Sequence, residues 1–171
     1  MKEVILALAK YNRGVNLNLI DTLDKASPEV LSKETKTYYK TILGTIHHCF
    51  WYEAVWLKRY KALGEYPSLS APILAEEVEA LKARAGDDWA KLSALMKEID
   101  SLFVSFAEEV KAEDLLKSIK FKNYKGEEQE RLAWHTIFHV LNHYTHHRGE
   151  ISAALDQMGV SNDYSGFFRY I

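Results

Sequence analysis

The chain has 171 residues, 47% of them apolar and 12% aromatic, enough for one domain to bury a core. Twenty-two basic residues stand against 24 acidic ones, a formal net charge of −2, so there is no electrostatic footprint for nucleic acid. Cys49 is the only cysteine, which excludes an intrachain disulfide and a cysteine-built zinc site and suits a reducing compartment.

The apolar start, Val4 to Ala9, runs straight into Lys10, Asn12 and Arg13 without a small-residue cleavage site, so it does not read as a signal peptide. No apolar run approaches the roughly 20 residues that span a bilayer. The expectation is a soluble cytoplasmic protein without a membrane partner. Helical spacing of Ile5, Leu8, Val15, Leu19 and Leu23 predicts a first long helix from Lys2 to about Leu23. Ser27-Pro28-Glu29 marks a short helix start. The pattern then predicts a second long helix from about Thr37 to Leu63, ended by Gly64 and Pro67.

Leu74 to Ala85 reads as an amphipathic segment broken near Gly86, with Asp87 and Asp88 as caps for a third long helix, Asp88 to Val110. Between Ser118 and Glu130 the period changes to two, with a turn at Asn123 to Gly126, the mark of a small hairpin. A fourth long helix starts near Arg131 and stops at Gly159. The reading is all-α: a four-helix bundle with a long crossover connection and a small β-hairpin before the last helix. Tyr164, Phe167, Phe168 and Tyr170 make the tail aromatic enough to pack on the bundle or on a partner.

Five of the seven histidines fall between His135 and His147, and the other two are His47 and His48. Histidines four apart project from one side of a helix, one turn apart, and neutral imidazole is a common ligand for zinc, nickel and iron. The last helix offers His135/His139, His139/His143 and His143/His147. Val140, Tyr144, Ile151, Leu155 and Met158 form one apolar arc, with His143 and His147 on its edge and His135, His139 and His146 turned toward the polar side. The geometry favours the His143/His147 register. On the second helix, apolar residues surround both histidines, and periodicity leaves His47 and His48 open, the main apolar arc lying nearer His47. Cys49 reads as a small buried apolar residue, Trp51, Tyr52 and Trp56 as core, and Arg148 as a salt bridge at the helix end. Lys117, Lys120, Lys122 and Lys125 read as the solvated face of the hairpin.

The run His139-Val140-Leu141-Asn142-His143-Tyr144-Thr145-His146-His147-Arg148-Gly149-Glu150 resembles the last-helix signature of the DinB-like metal-binding four-helix bundles. Tyr11-Asn12-Arg13 with Asn16, and Gly44-Thr45-Ile46-His47-His48 followed by Val55-Trp56-Leu57, resemble the family's first- and second-helix patterns. Glu150 stands where that pattern usually has glutamine. The resemblance implies a metal triad of His48, His143 and His147, and it is the resemblance that selects His48 over His47.

Three neutral imidazoles leave a divalent ion, whether zinc, nickel or iron, with an open position, the arrangement of a catalytic site. Such a site activates either a water for hydrolysis or a thiol for attack. The family resemblance implies the second: a metal-dependent thiol S-transferase joining a low-molecular-weight thiol such as bacillithiol or mycothiol to electrophiles, in stress response or detoxification. His139, Asn142 and Glu150 are candidates to orient the ligand rings. The alternatives are a metal-dependent hydrolase and a non-catalytic metal-binding module. Family resemblance and the apolar tail together suggest a homodimer.

Overall fold

The computed structural model describes residues 1–171. Four long helices, α1 (Lys2–Lys25), α3 (Ile42–Tyr60), α5 (Trp89–Glu109) and α6 (Ala133–Gln157), form the bundle, with the short α2 (Glu29–Ser32) and α4 (Val78–Ala85) in the connections. Helix α1 packs against α5 and α6, and α3 packs against the same two. The connections after α1 and after α5 therefore each cross to a diagonal position. No helix is long and apolar enough to cross a membrane.

The interior is filled by Leu19 and Ile20 from α1, Phe50, Leu57 and Tyr60 from α3, Leu92, Phe103 and Phe106 from α5, and Val140 and Leu155 from α6. Tyr60 stacks on Phe106 with ring centroids 5.1 Å apart, one of several aromatic contacts that fix the side-chain geometry of the core.

The second long helix starts later than periodicity predicts, at Ile42 rather than near Thr37. Thr41 is its cap: extended at φ −138° and ψ 160°, it accepts the Gly44 amide on Oγ1 at 2.9 Å. Residues 33–41 form a strap in which Lys40 takes a left-handed φ of 67°. Asp88 caps α5 by accepting from the Lys91 amide, as its sequence position suggests.

The hairpin pairs β1 (Ser118–Lys122) with β2 (Glu128–Leu132), antiparallel, with Ser118 opposite Leu132 and Lys122 opposite Glu128. Asn123 closes the turn by accepting the amides of Lys125 and Glu127. Phe121 anchors the hairpin on α3, its ring 4.9 Å from that of Trp56. The tail packs along α1. Tyr164 is buried and its carbonyl accepts from the Tyr11 hydroxyl, and Tyr170 lies so close to Gly14 that a Cβ there would clash with its ring. Phe168 departs from the tail's packing and is 87% exposed.

Candidate metal centre

Helices α3 and α6 lie side by side, and one turn of each meets at a cluster of imidazoles. The Nε2 atom of His143 is 3.0 Å from that of His48 and 3.1 Å from that of His147. The α6 pair falls in register because His143 and His147 are one turn apart. His48 points across the helix interface toward them. His47 points elsewhere, its ring near the Gly86–Asp87 turn and stacked 5.8 Å from Trp51. The choice between the two histidines is thus made by the seat of α3 on its neighbours.

Three ring nitrogens turned toward one point cannot all satisfy one another, because a neutral imidazole has a single N–H. Burial, followed by repulsion among neighbouring histidines, pushes the pKa of His48 down to about 4 and that of His143 to about 3. Both rings are neutral at neutral pH and carry the lone pairs a metal needs. An ion bound tetrahedrally at about 2.05 Å separates its imidazole nitrogens by about 3.3 Å. The two distances from His143 are within a few tenths of an ångström of that value, and all three ligand atoms lie within 4.8 Å of one another, so His48, His143 and His147 could hold a divalent ion.

A family model described as the DinB family matches residues 1–168. The chain belongs to the DinB family. Protein DinB of Bacillus subtilis (strain 168) is 23% identical over 173 residues, covering 100% of this chain and 95% of that protein. No solved structure matches.

Within this DinB-family bundle, the surroundings of the triad show how the rings are held. Glu150 Oε2 lies 2.7 Å from His147 Nδ1, so Nδ1 carries the proton and Nε2 the lone pair. Its other oxygen faces His146 Nε2 at 3.5 Å. His146, His147 and Glu150 also cluster closely enough to suggest a second ion. The 2.7 Å separation of Nδ1 from Oε2 is a hydrogen bond, too short for an ion to sit between them. Asn142 is exposed and makes no hydrogen bond to a triad ring. His139 is exposed too, its Nε2 2.8 Å from the Tyr52 hydroxyl.

Two tyrosines complete the site. Tyr52 lies with its ring 4.4 Å from that of His143, half-buried at the site's mouth rather than in the core. Tyr39, from the strap before α3, stacks on His48 at 4.2 Å with 20° between the planes, and its edge meets His147 at 5.7 Å. Sequence periodicity hides Tyr39 because it extends α3 through this residue. The Thr41 cap is the signal that places it outside the helix.

Beside the triad is a second polar cluster, buried apart from Thr145 at its edge and drawn from all four long helices. Arg148, 2% exposed, donates from Nη1 to the Oδ1 atoms of Asn12 and Asn16 and from Nη2 to Thr145 Oγ1. Asn16 Nδ2 in turn donates to both oxygens of Asp100 at 3.0 Å. Glu53, 0% exposed, lies beside Asp100. Burial, then the charge of Asp100, pushes the Glu53 pKa well above the carboxylate range, so it is a neutral acid. Arg148 is therefore a buried hub and makes no salt bridge at the helix end. Cys49 is buried as expected, its thiol pushed up by desolvation and far from the thiolate form.

Proposed function

We propose that this protein is a metal-dependent thiol S-transferase with His48, His143 and His147 as the metal ligands. The observation that carries the reading is a triad of convergent imidazoles that stays half-open, with His48 bordering a groove of about 600 Å³. A divalent metal bound there would lower the pKa of a thiol that reached its free position. The thiol sulfur then forms a bond to the electrophilic carbon, the bond from that carbon to its leaving group breaks, and the thiol proton departs with the leaving group.

The chain's own residues prepare this step. Glu150 fixes the tautomer of His147, Tyr39 and Tyr52 cover two sides of the triad, and the Tyr52 hydroxyl, held by His139, stands at the mouth where substrate enters. A lone buried cysteine suits a reducing compartment in which free thiols are abundant.

Turnover tests the proposal. Protein loaded with zinc, nickel or iron should accelerate loss of a low-molecular-weight thiol in the presence of chlorodinitrobenzene, and His147→Ala should abolish the rate. Absence of any rate across a panel of cellular thiols, together with hydrolysis of activated esters or amides, would overturn it in favour of a hydrolase.

A further inference from the structure

The groove that borders His48 follows α3 past Trp51, Tyr52 and Trp56 to Arg59, where Lys122 of the hairpin joins its wall. The chain carries a net charge of −2, yet this groove carries Arg59, Lys82 and Lys122 against the single carboxylate of Glu79. Lys82 and Glu79 pair at 2.8 Å and largely cancel. Arg59 and Lys122 remain.

Arg59 is half-buried, and desolvation lowers its pKa. Its guanidinium lies 4.7 Å from the Trp56 ring centroid and 4.9 Å from that of Phe121. Nη2 donates to the Lys122 carbonyl at 3.0 Å, and no carboxylate lies within ion-pair distance. Lys122 faces Glu128 across the hairpin but makes no ion pair with it. A stacked guanidinium held in place by one main-chain bond, with donors to spare and a second unpaired cation beside it, is a receptor for carboxylate or phosphate.

The eight steps from His48 to Trp56, over which the guanidinium sits, cover about 12 Å of helix at about 1.5 Å each. A bare small acid cannot touch both ends. We infer that the groove is a substrate channel for an elongated anionic molecule, its carboxylate or phosphate held by Arg59 and Lys122 and its reactive end at the histidine triad. The inference rests on the thiol-transferase reading and adds to it that the thiol is a peptide-sized anionic conjugate.

Calorimetry on the zinc-loaded protein tests this with ligands whose sulfur is methylated and so cannot become a thiolate. One pair is S-methylglutathione and its diethyl ester; the other is S-methyl-phosphopantetheine and S-methyl-pantetheine. The charged member of at least one pair should bind fivefold or more tightly than its neutral partner, and the pair that does so identifies the anion. Lys122→Glu, at an exposed position that should leave folding intact, and Arg59→Gln should each erase the preference. Equal affinities within both pairs, no binding by any of the four, or a preference that survives both substitutions would overturn the inference. A separate readout isolates the thiol reading: free glutathione and 2-mercaptoethanol should each give a sulfur-to-metal charge-transfer band with cobalt-loaded protein. Its absence with both would refute thiol ligation and leave the calorimetric result for the groove standing.

Discussion

Two polar clusters lie side by side in this bundle, sharing α3 and α6, yet physically opposite. His143 and His147 alternate along α6 with Tyr144 and Arg148. The histidines meet at a half-open site, nitrogen facing nitrogen, with nothing in the chain to resolve the encounter. Arg148 lies in the closed interior, where Asn12, Asn16 and Asp100 answer its charge and Glu53 stays protonated. Burial of polar groups alone does not mark a functional site. Converging lone pairs open toward solvent suit a ligand, whereas a buried cation set near a buried carboxylate ties helices together even though both Glu53 oxygens and Arg148 Nε lack hydrogen-bond partners.

The sharpest way to break this comparison is Arg148→Ala. It leaves Asp100 buried without its cation and should cost about 3–5 kcal/mol, a fall in thermal midpoint on the order of 10 °C measurable by calorimetry. An unchanged midpoint would mean that the closed cluster does not hold the helices together. His143→Ala should do the reverse, lowering metal affinity about a hundredfold or more while leaving the apo midpoint nearly unchanged, as chelator competition and thermal melts would show.

Glu150→Gln keeps an acceptor at His147 Nδ1 but removes its charge. Affinity should fall about tenfold in the same competition, and equal affinity would mean that the carboxylate does nothing for the ring.

The smallest effect is in pH dependence. Burial raises Asp100 to about 6 and Glu53 well above its ordinary value. A carboxyl with a higher pKa folded than unfolded takes up its proton on folding, so its contribution is full below about pH 4 and is lost as pH rises through the folded value. The depressed histidines act in the opposite sense, losing stability as pH falls below about 6.5 toward 4 and 3. Glu53→Gln removes the Glu53 share of the first effect and leaves the histidine effect in place. Its stability relative to the native chain should rise with pH by about 1 kcal/mol per unit in the neutral range, measured by denaturant melts at several pH values. A constant difference would show that Glu53 does not titrate.

The sequence is most informative where periodicity and caps agree. The four long helices, the hairpin, the Asp88 cap and the His143/His147 register are all legible because each is a local pattern. What lies across helices is not. His47 and His48 cannot be separated by period, since α3 has apolar residues on nearly every side, and the choice follows from how α3 seats against α4 and α6. Glu53 and Asp100 occupy positions that a hydrophobic pattern assigns to apolar residues, and nothing local announces that Arg148 will answer them. Tyr39 is missed because the run before Ile42 looks helical until Thr41 is recognised as a cap.

The most direct test of the account is metal analysis of untagged protein purified without chelators or nickel resin, paired with the same analysis of His143→Ala. About one equivalent of a divalent metal per native chain, lost in the variant, is the predicted result. A native chain without metal after reconstitution, or a variant that keeps its full equivalent, would contradict it.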